Sequence, residues 1–195
     1  MAYAGQVLKN PVTGETITIL ETTEQTGGEK LVFECRVTPG GSPLPPHVHS
    51  TQEERFEIQS GELGVMLGGK KQVLRQGDRI ALPAGVKHQW WVAGEGDVQF
   101  RVEVSPARNL EATLEAVCGM AQAGKLTSRA MPRNPFLLAN LGRFSKTYIP
   151  VVPIWMQRIG LDVGSLTGRL FGIDPEFRQY RSQTQELPAM EEALA

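Results

Sequence analysis

The sequence predicts a mainly β fold followed by a C-terminal α-helical extension. From about Gln6 to Val104, short segments of alternating apolar and polar residues are separated by turn residues. Such alternation is typical of half-buried strands, and many short strands at this spacing indicate an antiparallel sandwich or barrel. Beyond Pro106 the apolar residues recur with the period of a helix. We therefore expect a β domain at residues 1–106 and a helical extension at 107–182.

The predicted strands follow one another at short intervals in the first hundred residues. Each contains alternating apolar positions, and glycine or proline lies close to most of their ends. The strands are expected at residues 16–20, 30–37, 55–58, 63–67, 72–74, 79–82 and 98–104.

Three helices are predicted in the extension. The first has an apolar stripe beginning at Leu110, with Asn109 as its N-cap and Gly124 as its stop. The second starts at Asn134, and the third starts near Pro153. One face of the third helix carries Trp155, Ile159, Val163, Leu166 and Leu170. The extension is expected to pack on the barrel or to lie at a dimer interface, and the acidic residues 183–195 are expected to form a disordered tail.

Length and charge exclude several classes of function. A chain of 195 residues with a formal net charge of −1 has one core and no basic footprint for nucleic acid. Charged residues and prolines interrupt the apolar runs of the extension, so no membrane span is expected. The N-terminal residues lack the features of a signal peptide, which favours a cytoplasmic protein with a small-molecule partner.

The three histidines of the chain lie in two short segments. On an extended strand, His47 and His49 point to the same side and can reach one cation together. In the strand that follows, Glu54 shares a face with Phe56 and Ile58, whereas Glu53 lies on the opposite face. Because the apolar face is the buried one, Glu54 is predicted to point inward, where a cation would offset the cost of burying a carboxylate.

The third histidine lies in a strand that returns from a Pro/Gly turn. Alternation places His88, Trp90 and Val92 on one face of this strand. One histidine in a strand is more often a structural residue than a ligand. Three histidines and one inward glutamate at these spacings instead predict a metal site formed by His47, His49, Glu54 and His88.

The two histidine segments resemble the paired signature motifs of the cupin superfamily. The first motif, a glycine followed by His-x-His, a glutamate and a second glycine, is filled by Gly41, His47, His49, Glu54 and Gly61. The second motif is filled by Gly77, Pro83, Gly85 and His88, with Val92 where the family usually has asparagine. The resemblance covers about the first hundred residues and implies a double-sheet jelly roll, or double-stranded β-helix, and a homodimer.

Three imidazoles and one carboxylate suit a divalent transition metal, with Fe(II) or Mn(II) favoured and Ni(II), Co(II) or Zn(II) possible. Cupins with this ligand set include dioxygenases that act on enolic or phenolic substrates. The resemblance therefore implies a small metal-dependent dioxygenase in which Glu54 takes a proton from the substrate. The alternatives are a non-catalytic metal- or ligand-binding protein and a non-oxidative isomerase, cyclase or decarboxylase.

The substrate pocket is less well specified by the sequence than the metal site. Phe56, Met66 and Trp90 are candidates for an apolar pocket, with core packing as the alternative. Arg101 would contact substrate if its face of the last strand turns inward, and it would be exposed if that face turns outward.

Overall fold

The computed structural model describes residues 2–150 and 152–182. Ten strands precede the first helix, and they are β1 (Val7–Asn10), β2 (Glu15–Glu21), β3 (Leu31–Val37), β4 (Val48–His49), β5 (Glu53–Ser60), β6 (Leu63–Leu67), β7 (Lys70–Leu74), β8 (Arg79–Leu82), β9 (His88–Val92) and β10 (Val98–Ser105). Four helices and one short strand follow, and they are α1 (Leu110–Gln122), α2 (Pro135–Ser145), β11 (Thr147–Tyr148), α3 (Ile154–Leu170) and α4 (Ile173–Ser182).

The strands form antiparallel sheets that enclose one core. The larger sheet has the order β1-β2-β3-β10-β5-β8, the smaller has the order β7-β6-β9, and β11 pairs with β4. Buried side chains from the six-stranded and the three-stranded sheet meet in this core, as Phe100 of β10 and Leu63 of β6 illustrate. The prediction of a mainly β jelly-roll fold with C-terminal helices is confirmed.

Alternation along β5 and β10 determines which side chains enter the core. In β5, Glu54, Phe56 and Ile58 are buried, because every second side chain points to the same face of a strand. In β10, Val102 is buried and Arg101 is exposed. These two strands pair with each other, so their inward side chains form one continuous wall.

Two of the predicted helix starts differ in how they are capped. The second helix begins next to Asn134, as predicted, and the Asn134 side chain caps α2 by accepting a hydrogen bond from the backbone N–H of Phe136 at 2.8 Å. Asn109 lies at the N-cap position of α1, but its side chain makes no capping hydrogen bond within the described part of the chain. Its Nδ2 instead donates to the carbonyl oxygen of Phe144, and Asn109 therefore links α1 to the end of α2.

The apolar stripe of α3 is exposed rather than buried. The exposed fractions of its residues are Trp155 64%, Ile159 58%, Val163 60%, Leu166 63% and Leu170 82%. Helix α3 packs on α2 through small residues, because Gly164 lies against Ala139 and Gly168 against Phe136. The aligned apolar residues of α3 therefore form a surface patch, not a contact with the sheets.

None of the helices in residues 2–150 and 152–182 combines the length and apolar character needed to cross a bilayer. The disordered tail expected at 183–195 lies outside the described residues.

Candidate metal centre and ligand cavity

The backbone holds the histidines in place from two directions. His47 and His88 form an antiparallel bridge, in which each backbone N–H donates to the other's carbonyl oxygen, at 2.9 and 3.0 Å. The turn before β9 is tied to the same place, since the N–H of Gly85 donates to the carbonyl oxygen of His49 at 2.8 Å. The two predicted segments therefore meet through main-chain hydrogen bonds before any ligand is considered.

One ring nitrogen from each of His47, His49 and His88 lies within 4.8 Å of the other two. The carboxylate of Glu54 borders this cluster, with Oε1 3.3 Å from Nε2 of His49 and Oε2 3.5 Å from Nε2 of His88. All four side chains are buried. The structure therefore brings together the four residues that the sequence predicts as metal ligands.

The hydrogen bonds of the imidazoles show which ring nitrogens are left for a cation. Nδ1 of His47 lies 2.9 Å from the carbonyl oxygen of Pro45, and Nδ1 of His88 lies 2.9 Å from that of Val86. A carbonyl oxygen only accepts, so both Nδ1 atoms carry the proton and both Nε2 atoms present a lone pair. Nε2 of His88 is buried and has no hydrogen-bond partner among the described residues. A buried acceptor of this kind fits a metal ion.

The electrostatics of the cluster favour a neutral His47 and an ionised Glu54. Burial and the neighbouring imidazoles lower the pKa of His47 to about 4, which keeps this ring neutral at physiological pH. Burial raises the pKa of Glu54, but the adjacent His49 and His88 outweigh that effect and hold it well below its usual range. Burial lowers the pKa of His88, and Glu54 more than compensates, so the net shift is upward. An ionised carboxylate among imidazoles suits a borderline divalent metal.

A residue of the C-terminal extension contacts the cluster directly. Strand β11 pairs with β4, and Thr147 lies opposite His49. The hydroxyl oxygen of Thr147 lies 3.2 Å from Nδ1 of His49. A partner at Nδ1 orients the ring so that Nε2 faces the metal. Neither the histidine motifs nor any local pattern in the sequence indicates this role for Thr147.

Replacing Thr147 with valine is expected to weaken metal binding by about 10-fold, because the nearly isosteric side chain removes the partner of His49 Nδ1. Competition with a chelator of known affinity measures the metal dissociation constant. Thr167→Val is the matched control, since the Thr167 hydroxyl donates to a helix carbonyl in α3. Equal affinities for the two variants would contradict the orienting role of Thr147.

An apolar cavity of about 270 Å³ adjoins the metal cluster. The strand side chains that line it include Phe56, Trp90, Phe33, Phe100 and Val102, and the helical side chains include Leu114, Val117, Leu138, Leu141 and Leu161. His47, His49 and Glu54 open onto the same space. The helical extension therefore supplies one wall of the site, and the β domain supplies the other.

The structure places the four predicted pocket residues differently. Phe56 and Trp90 line the cavity. Met66 is buried but pairs with Gln89 in the β6-β9 ladder, so it lies on the face opposite Trp90. Arg101 is exposed and lines an outer cleft with Arg79 and Glu57. The placement of Met66 and Arg101 in the pocket is therefore corrected, in both cases because the side chain points to the other face of its strand.

Residues 33–105 match the family model for the Cupin domain. No curated protein matches the chain significantly.

Several solved structures are similar to part of the chain. A sugar phosphate isomerase from a cupin superfamily of Silicibacter pomeroyi is 24% identical with a TM-score of 0.41, over 48% of this chain and 60% of that chain. The match thus spans about three fifths of the Silicibacter protein. A polyketide cyclase from Streptomyces resistomycificus is 22% identical with a TM-score of 0.45, over 54% and 78%. A predicted oxalate decarboxylase from Thermotoga maritima is 18% identical with a TM-score of 0.46, over 54% and 97%.

Proposed function

Because residues 33–105 form a cupin domain, we propose that the chain is a metal-dependent dioxygenase acting on an enolic or aromatic small molecule. The observation that carries this proposal is the convergence of three imidazole nitrogens and one carboxylate at the wall of an apolar cavity. Among the described residues that line this cavity, none is lysine or arginine. A phosphorylated substrate would find no cation from these side chains, which favours an uncharged apolar one.

His47, His49, His88 and Glu54 would hold the metal, with Fe(II) or Mn(II) favoured and Ni(II), Co(II) or Zn(II) compatible with the same donors. When bound, the metal would supply Lewis-acid polarisation of substrate oxygens and redox chemistry with O₂.

The chain's own side chains would position and activate the substrate. Glu54 lines the cavity, where its carboxylate would be within reach of a proton on an enol or phenol hydroxyl. Phe56 and Trp90 offer apolar surfaces for an aromatic ring. Residues of α1, α2 and α3 line the same space and would reduce the access of water to a bound substrate.

The test begins with metal analysis of protein purified without chelator. Oxygen uptake is then measured for the Fe(II)- and Mn(II)-loaded protein against flavonols, β-diketones and catechols. We expect O₂ consumption with at least one of these classes. No uptake by protein that retains its native metal would contradict a dioxygenase and leave an isomerase, a cyclase, a decarboxylase or a non-catalytic binding protein.

We also infer a cytoplasmic homodimer that acts without nucleic acid. The exposed apolar stripe of α3 supports the dimer, because a contiguous apolar surface of this kind is typical of a contact surface.

A further inference from the structure

The cavity has a second polar end, remote from the histidines. Asn10 and Glu15 line it there and are 1% and 8% exposed. The ladders place Glu15 opposite Val37 and Val37 opposite Val98, whereas Glu54 lies opposite Val104. Val98 and Val104 are separated by about 20 Å of strand at the usual rise per residue. The two polar ends therefore lie at opposite ends of the inward face of the sheet.

In the side-chain amide of Asn10, the oxygen is hydrogen-bonded, whereas the nitrogen has no partner among the described residues. Its Oδ1 accepts hydrogen bonds from the backbone N–H groups of Val12 and Thr13, at 3.0 and 3.3 Å, which fixes the side chain in the turn. Its Nδ2 is buried and has no partner within the part of the chain that the structure describes. A buried donor without an acceptor is unfavourable unless a ligand or water satisfies it.

The carboxyl of Glu15 is held beside this amide. The hydroxyl of Thr13 donates to Oε2 of Glu15. Burial raises the pKa of Glu15, and the Thr13 hydrogen bond only partly offsets that effect. The same burial would penalise a negatively charged ligand group, and an ionised Glu15 would also repel it, so this end of the cavity discriminates against anions.

The walls between the two ends are uncharged and mostly apolar, with Thr113, Ser145 and Gln157 among their polar residues. They include Ile17, Phe33, Phe100 and Val102 from the strands. Cys35 and Cys118 also line the cavity as free thiols. Burial raises the pKa of both thiols well above the usual range, so they remain protonated and behave as small apolar groups.

We propose that the cavity binds an elongated molecule with an apolar body, an oxygen-donor group at the histidine end and an uncharged oxygen acceptor at Asn10. The far group is a hydroxyl, carbonyl or ether oxygen that accepts a hydrogen bond from Asn10 Nδ2. The inference rests on the proposed function for its metal-bound end, and it adds the length of the ligand and the chemistry of its other end.

Hydroxamic acids provide the probes, because the hydroxamate chelates divalent metals and the alkyl chain can be extended toward Asn10. Dissociation constants for the Co(II)-loaded protein are measured by calorimetry, and the cobalt absorption bands report chelation. The series comprises acetohydroxamic, octanohydroxamic and dodecanohydroxamic acids. The longest probe, dodecanohydroxamic acid, ends in a methyl group and is the ω-methyl probe. Its ω-hydroxy and ω-carboxy forms differ from it only at the far end.

We expect affinity to rise by at least about 100-fold from the shortest probe to the longest, since each buried methylene contributes. The ω-hydroxy probe is expected to bind about 10-fold more tightly than its ω-methyl counterpart, and the ω-carboxy probe about 10-fold less tightly. The ω-methoxy form of the longest probe, whose oxygen can only accept a hydrogen bond, is expected to share the advantage of the ω-hydroxyl in the wild type. In Asn10→Asp, which keeps the oxygen that accepts from Val12 and Thr13 but lacks the Nδ2 donor, the advantage of the ω-methoxy form disappears. Asn10→Ser, which shortens the donor, gives the same result.

Asn134→Asp is the matched control, because it makes the same change at the N-cap of α2. An ω-methoxy advantage that survives both Asn10 variants would overturn the inference, as would affinity independent of chain length when acetohydroxamic acid binds normally. Failure of acetohydroxamic acid to chelate would instead overturn the metal site and, with it, both proposals. Unchanged affinity of the ω-methyl probe shows that the Asn10 variants are folded.

Discussion

Replacing His49 with alanine is expected to reduce metal retention by at least about 100-fold. The substitution removes one of three converging nitrogens and leaves the hydroxyl of Thr147 without its imidazole partner. The pairing of β4 with β11 uses main-chain atoms and does not depend on the ring. Metal content per chain, measured by mass spectrometry after purification without chelator, tests this expectation.

Thermal unfolding supplies the control for a loss of fold. With EDTA present, the His49→Ala variant is expected to unfold within a few degrees of the wild type. Added metal should raise the midpoint of the wild type alone, because a ligand stabilises only the state that binds it. Wild-type occupancy in the variant would show that the histidine cluster is not the metal site.

Replacing Glu54 with glutamine is expected to lower kcat by about 1,000-fold, within the range for loss of a general base. The substitution preserves size but removes the proton acceptor and the charge between His49 and His88. Metal affinity is expected to fall less than in His49→Ala, because the three imidazoles remain. Oxygen uptake with the compound that is consumed fastest in the panel of flavonols, β-diketones and catechols gives kcat and KM, and the metal content is measured on the same samples.

The neighbouring glutamate offers a matched control. Glu53 precedes Glu54, points away from the core and pairs with Nε of Arg55 at 2.8 Å. Glu53→Gln is therefore expected to keep kcat within about 2-fold of the wild type, since exposed ion pairs contribute little. Full activity in Glu54→Gln, or equal losses in both variants, would rule out Glu54 as the proton acceptor.

The sequence predicted the architecture and the centre of the site because both depend on local patterns. Alternation along β5 distinguished the inward Glu54 from the outward Glu53, and the burial pattern agrees. The fixed spacing of the two motifs placed His47 and His88 in segments that meet through a main-chain bridge. A β strand has two faces, so an apolar pattern is enough to say which one is buried.

The remainder of the site depends on contacts between distant parts of the chain. Glu15 shares its strand face with Ile17 and Ile19, so the same alternation could have indicated an inward carboxyl. Thr147 carried no signal, because its role arises only from the pairing of β11 with β4. Position in the sequence alone does not show which helix covers which end of a cavity.

In helix α3, the hydrophobicity pattern of the sequence does not identify the buried face. Periodicity identified its apolar stripe, and such a stripe usually marks the buried face. Here the buried face consists of small residues, since a side chain at Gly164 or Gly168 would collide with Ala139 or Phe136. Close approach of two helices needs small residues, which a hydrophobicity pattern does not emphasise.

The contact between Thr147 and His49 can form only late in the synthesis of the chain. The two residues are 98 positions apart. Because β11 follows β10 in the chain, every strand of the two larger sheets leaves the ribosome before β11 does. Domains begin to fold during synthesis, N-terminal part first, and contacts between distant residues form late. We therefore expect a nascent chain that ends after β10 to exchange metal with its surroundings freely. Tight retention would be acquired only when translation is nearly complete.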